Sequence, residues 1–309
     1  MAGESKNVDL YLLPAPSLKA GTSAYYELTG AVAMMPRYAF GFMACRWGWK
    51  DDQYIWDMLE SFRNGSFPID AWISDFEWFT KTPDYQLPDQ GNPDYHDFSY
   101  NPITFPHPQQ QLQDYRQKLN LRFGGIRKPR LGNSDLLVMA RANDWTIQSS
   151  RNLNYSREDV MEWYGKQQAG YLTDGVEFFW NDEGETMYYT FHNWNVAEIR
   201  TLDAQAPSKR FWSINRAFSP GMQRLGAMTW TGDIAASWDD LLNTPGMMLN
   251  WALAGSPIVT CDIGGFNGNT NPLLLSRWYQ ARYPYLYPSD ALPSARTLAP
   301  LRRRASSCP

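Results

Sequence analysis

Seven short apolar runs, several of them followed by a helical pattern, constrain this chain more than any other feature. The runs are Tyr38–Cys45, Asp70–Ser74, Leu121–Ile126, Val176–Trp180, Phe211–Asn215, Leu225–Trp230 and Pro257–Cys261. Near-continuous apolar character, rather than alternation, is the mark of strands buried on both faces, as in a parallel sheet. Between Asp51 and Asn64, Tyr54, Ile55, Met58, Leu59 and Phe62 fall on one helical face, with Gly65 and Pro68 as stops. Further helices are expected over 109–119, from Ser156 to Gly170, from Ser237 to near Gly255, and from Asn271-Pro272 to near Arg282. Ser156 with Asp159 and Ser237 with Asp240 read as capping boxes, and Pro245-Gly246 as a break. The pattern predicts an α/β fold.

Acidic residues stand just beyond four of these strands: Asp75 after the second, Asp182 after the fourth, Asp233 after the sixth and Asp262 after the seventh. In a (β/α)₈ TIM barrel the strand C-termini face the site, so this placement favours a barrel. The alternative is a doubly wound open sheet, which places a Gly-rich phosphate turn after its first strand. Cys45-Arg46-Trp47-Gly48-Trp49-Lys50 is not such a turn. Acids at strand ends also cap helices, and that structural role competes for Asp75, Glu77 and Asp262.

The remaining composition narrows the partners. The formal net charge is -4 and no basic stripe precedes the last residues, which argues against nucleic acid. No apolar run reaches membrane-spanning length. Cys45, Cys261 and Cys308, and His96, His107 and His192, are scattered without metal-ligand spacing, so no metal or other cofactor is implied, and the histidines read as loop residues. Met1–Lys6 lacks the apolar core of a signal peptide. Fourteen Trp and 18 Tyr suit either a core or a carbohydrate surface. Thr80–His107 and Lys128–Asn154 read as irregular excursions.

Two runs pair acids with tryptophan: Trp180-Asn181-Asp182-Glu183-Gly184-Glu185 and Trp230-Thr231-Gly232-Asp233. Glycosidic bond cleavage needs two carboxylates with aromatic walls around the ring. Together with Tyr26-Glu27-Leu28-Thr29-Gly30, Pro36–Phe42, Asp75-Phe76-Glu77-Trp78, Asn215-Arg216-Ala217-Phe218, Gln223-Arg224, Gly255-Ser256-Pro257, Asp262–Phe266 and Arg277–Gln280, these motifs resemble the family 31 glycoside hydrolases, from about Asp9 to Gln280. The resemblance implies retaining hydrolysis of α-glucosides or related α-glycosides, with a carbohydrate as partner. Asp182 would be the nucleophile and Asp233 the acid/base; Asp75, Arg216 and Asp262 would bind sugar hydroxyls; Trp180, Trp230 and Phe266 would wall the pocket. An arginine near Asp182 would favour its ionised form.

Departures from the family pattern bear on this chain. Glu183 stands where many members have Met, and no Arg-x-x-His run of an eighth strand follows Gln280. The domain reading is a remnant of an N-terminal β-sandwich over 1–20, the barrel over 21–283 and an irregular tail over 284–309. An incomplete barrel would leave raw strand edges and expose Trp47 and Trp49. The expectation is a weakly stable, nearly inactive chain, so a non-catalytic fragment is the competing reading, with a transglycosylase or α-glucan lyase of the same family as the third.

Overall fold

The protein was analysed as a computed structural model that describes residues 9–49, 51–81, 95–185, 187 and 189–286. In chain order the elements are α1 Leu18–Thr29, β1 Met43–Cys45, α2 Asp52–Asn64, β2 Ala71–Ser74, β3 Phe79–Lys81, β4 Tyr95–Tyr100, α3 Pro108–Lys118, β5 Arg122–Arg127, α4 Asp135–Ala142, α5 Glu158–Asp174, β6 Phe178–Asn181, α6 Thr190–Gln205, β7 Ser213–Asn215, β8 Ala227–Trp230, α7 Trp238–Leu253, β9 Val259–Thr260 and α8 Pro272–Leu286. One seven-stranded sheet has the order β1-β2-β5-β6-β7-β8-β9, with every neighbouring pair parallel. Sheet order follows chain order without reversal. That excludes a doubly wound sheet, which needs a switch point. The fold is a (β/α)₈ TIM barrel with seven of its strands among the described residues. The expected readings of Met1–Lys6, of the middle of the Thr80–His107 excursion and of the tail beyond Leu286, with Cys308, lie outside those residues.

The chain divides into two units, Met1–Gly232 with Gly246–Cys261, and Asp233–Pro245 with Asp262–Pro309. The first contains the whole seven-stranded sheet. Its two faces carry separate cores because side chains alternate along each strand. Ala71, Ile73, Phe178, Trp212, Ile214, Met228 and Trp230 form one cluster. Trp72, Phe123 and Phe179 belong to another, with Ile55 and Leu59 from α2 and Tyr115 from α3. α2 forms as the sequence predicts: Asp51 caps it by accepting from the Tyr54 N–H at 2.8 Å, and Gly65 follows its last residue.

Several elements differ from expectation. The first apolar run is a strand only over Met43–Cys45; Arg37–Phe40 is a 3-10 turn, closed by Ala39 N–H to Pro36 O at 3.0 Å. The turn sends Tyr38 onto Trp212, whose Nε1–H donates to the Tyr38 hydroxyl at 3.1 Å. An apolar stretch that fills a core as a turn looks like a strand in sequence. The Lys128–Asn154 excursion contains α4. The capping box at Ser156 does not form: Arg157 precedes α5, and the Asp159 carboxylate accepts instead from Arg157 and from Trp145 Nε1 at 3.0 Å. At α7 only half the box forms, the Asp240 N–H donating to Ser237 Oγ at 3.0 Å while its carboxylate accepts from Ala235 N–H. α7 also runs through Pro245, since a proline removes one donor without unwinding the turns either side. α8 opens on Asn271, which accepts from Leu274 N–H at 2.9 Å, and continues past Arg282 to Leu286. The histidines lie in or beside regular elements rather than in loops: His96 on β4, paired with Asp135 at 2.8 Å, His107 at the N-cap of α3 and His192 in α6. Trp47 is 51% exposed, but Trp49 is half-buried, stacked on Trp72 with ring centres 4.2 Å apart. Among the described residues no helix is long and apolar enough to cross a membrane.

Candidate active site

Asp182 follows β6 directly, and the sheet fixes its backbone from both sides. Its N–H donates to Arg127 O on β5 at 3.0 Å, while Arg216 N–H beyond β7 donates to Asn181 O at 3.2 Å. Beneath it, fully buried polar side chains interlock β6, β7 and α6. Asn181 Nδ2 donates to Glu198 Oε2 at 3.0 Å and to Asn215 Oδ1 at 3.2 Å. Asn195 Nδ2 donates to the same Asn215 oxygen, and Ser213 Oγ to Asn195 Oδ1, both at 2.7 Å. These bonds tie the end of β6 to β7 and α6 through five buried side chains, while Asn181 Oδ1 and Glu198 Oε1 stay without a hydrogen-bond partner.

Asp182 is 4% exposed, and its carboxylate has a cation on each oxygen. Arg216 Nη1 donates to Oδ1 at 3.0 Å, and the Lys128 ammonium donates to Oδ2. Lys128 also pairs with Glu183 at 3.1 Å, Arg216 Nε with Glu185 at 2.9 Å, and Arg130 with Glu183. The result is an alternating line of charge: Arg130, Glu183, Lys128, Asp182, Arg216, Glu185. Lys128 and Arg130 hold Glu183 below the usual carboxylate range, overcoming the burial that acts the other way. The tryptophans adjoin this line. The Arg216 guanidinium lies over the Trp230 ring at 5.2 Å, and Trp180 meets Trp230 edge to face at 5.3 Å.

Asp75 is buried at the end of β2, accepting from the Phe76 N–H at 2.8 Å. Burial, then the Glu77 charge, pushes its pKa up to about 7, with Asp182 adding to the rise and Lys128 opposing it. Asp75 thus senses the Asp182 charge, and in its protonated form it is a donor as well as an acceptor. Glu77 has a structural partner, the Gly48 N–H at 2.8 Å.

The structure therefore brings together Asp75, Trp180, Asp182, Arg216 and Trp230 within the first unit. Asp233, Asp262 and Phe266 belong to the second. There Asp262 O accepts from Gly265 N–H at 3.0 Å, Phe266 N–H donates to Ile234 O at 2.8 Å, and Phe266 is 42% exposed. Sequence reasoning missed Lys128 and Arg130; the one signal was a Lys-Pro-Arg run directly past a strand end. It gave Glu183 no role, and it missed the asparagine layer.

Glu198 supplies a pH-dependent prediction. It is fully buried, and burial, only partly offset by Asn181 and Arg127, pushes its pKa up to about 8. The folded chain then binds a proton that the unfolded chain releases near pH 4.5. Its contribution to stability is full below about pH 4.5 and is lost as pH rises towards 8, by about 4–5 kcal/mol. Chemical denaturation at pH 5 and pH 8 is expected to show this loss in the parent chain and a smaller one in Glu198→Gln.

A parallel sheet wound in chain order, with acids and tryptophans at its strand C-termini, defines a TIM-barrel domain. The chain belongs to glycosyl hydrolases family 31: residues 32–289 match the model of that family's TIM-barrel domain. Among curated relatives it is 28% identical to neutral alpha-glucosidase C of Homo sapiens, over 90% of this chain and 34% of that protein. It is 23% identical to alpha-glucosidase 2 of Bacillus thermoamyloliquefaciens, over 90% of this chain and 39% of that one. The chain thus spans about a third of the length of its first curated relatives. In fold it is similar to a family 31 alpha-xylosidase from a soil metagenome complexed with xylose, with a TM-score of 0.73 at 22% identity, covering 86% of this chain and 43% of that one.

Proposed function

We propose that this domain hydrolyses α-linked glucosides with retention, through a glycosyl-enzyme on Asp182. The observation that supports the reading most directly is the Asp182 carboxylate, buried at a strand C-terminus between two cations, beside Asp75 and the Trp180–Trp230 pair. Covalent attack needs a carboxylate held in a fixed position, and the hydrogen bonds from Lys128 and Arg216 hold this one. In the first step an Asp182 oxygen bonds to the anomeric carbon as the glycosidic C–O bond breaks, and Asp233 passes a proton to the leaving oxygen. In the second, Asp233 takes a proton from water, whose oxygen displaces Asp182. Asp75, Arg216 and Asp262 bind sugar hydroxyls by charge-assisted hydrogen bonds. Trp180, Trp230 and Phe266 present rings to the pyranose. The α-glucosidase names of the curated relatives support the choice of glucosides.

Retention is read by NMR as the anomer released first from an aryl α-glucoside. An α-anomer appearing before mutarotation is expected; a first-formed β-anomer would overturn the mechanism. A crystal structure is expected to place the Asp182 and Asp233 carboxyl groups about 5–5.5 Å apart. A separation beyond about 9.5 Å would remove Asp233 from its role.

A further inference from the structure

We propose that Lys128 is the positioning residue of this site, fixing the plane of the Asp182 carboxylate so that Oδ1 attacks while Oδ2 stays bound to its ammonium. The inference rests on Asp182 being the nucleophile and assigns a role to a neighbour.

A carboxylate on a short side chain can turn about its last bond, and its two oxygens are chemically equivalent. Here they are made different. Oδ2 is held by Lys128, whose side chain is 2% exposed; Oδ1 is held by Arg216, 26% exposed. A buried ammonium is costly unless opposed by charge, and its interactions are little screened. Lys128 has that opposition from Asp182 and Glu183, and its Nζ lies 4.7 Å from the centre of the Phe76 ring. It is thereby confined. Arg216 is more exposed and is shared with Glu185.

Backbone geometry supports the same division. Consecutive side chains on extended backbone point to opposite sides. Asp182 and Glu183 nevertheless meet the same ammonium, and Glu183 has φ 58°, a left-handed conformation rare for a residue with a side chain. The turn at Glu183 brings both carboxylates onto Lys128, and Arg130 holds Glu183 from its other side. Strain of this kind persists where the surroundings over-determine it. As the Oδ1–carbon bond forms, Oδ2 becomes the carbonyl oxygen of the ester, with the Lys128 donor already in place.

The test is trapping of Asp182 in the full chain by 5-fluoro-α-glucosyl fluoride, followed by peptide mapping, with the inactivation rate constant and the inhibitor's KI measured separately. Lys128→Met is expected to lower the rate constant about a hundredfold while KI changes less than threefold, and Lys128→Arg to recover about tenfold of the loss. Glu183→Gln, which keeps the side chain's shape, is expected to lower the rate constant about tenfold. Trapping of Lys128→Met at the parent rate, a loss confined to KI, or no recovery in Lys128→Arg would overturn the proposal. If Lys128→Met does not fold, Glu183→Gln and Lys128→Arg carry the test, and parent rates in both overturn it. A parent chain labelled at a residue other than Asp182 overturns the nucleophile assignment itself, a result distinct from a Lys128 variant that behaves like its parent.

Discussion

Alanine at Asp182 is expected to abolish turnover of an α-glucoside, by about 10⁴-fold or more, because no other group supplies the covalent intermediate. The substitution also leaves the Lys128 ammonium without an acceptor there; Asp182→Asn removes the same charge but keeps the shape and an oxygen that can accept from Lys128, and is the better measure of the chemical loss. Added azide is expected to restore part of the turnover of Asp182→Ala by entering the space left behind, giving the β-glucosyl azide, the inverted product. Asp233→Ala should behave differently. A substrate with a good leaving group needs little proton donation, so a dinitrophenyl glucoside is expected to be cleaved at a measurable rate by that variant while an alkyl glucoside is not. Both variants turning over alkyl glucosides at the parent rate would overturn the assigned roles.

The second large effect is structural. Gly124 and Gly125 sit side by side in β5, and a Cβ on either would run into an aromatic ring: Phe178 for Gly124, Trp78 for Gly125. The two rings lie on opposite faces of the sheet, in different core clusters. The strand is thus thin enough to let a large ring lie against each side. Gly125→Val is expected to cost about 3 kcal/mol or more, much of what holds a typical domain folded. Gly170 is the control. It lies in α5 with nothing near its would-be Cβ, so Gly170→Ala is expected to stabilise by about 0.5–1 kcal/mol. Equal melting temperatures for Gly125→Val and the parent would refute the packing argument.

What could be read in the sequence follows from the same physics. Strands buried on both faces are apolar almost throughout, so β2, β6, β8 and β9 stood out, and the acids after them with them. α6 did not stand out, because its buried face carries Asn195 and Glu198, whose partners are other polar side chains. Lys128 was hidden for a related reason. A lysine beyond a strand end ordinarily reaches solvent, and only the fold shows that two carboxylates from the next strand's loop keep this one buried. Tyr38 misled in the opposite sense, since its apolar surroundings are those of a turn.

The coincidence of sheet order with chain order bears on how the chain comes into being. Every strand of the seven-stranded sheet after β1 finds its partner already made, so pairing keeps pace with synthesis at about 5–20 residues per second. No strand in the sheet waits for one from the far end of the chain, which keeps the entropic cost of each closure low. The growing sheet has β1 at one edge and its newest strand at the other, and the second edge is covered when the next strand emerges. A nascent chain that has reached β6 holds Lys128 and Asp182 but lacks Arg216 and Trp230. The charged line around Asp182 is therefore finished only as β7 and β8 arrive, and a ribosome paused between them would display a half-neutralised, half-walled site.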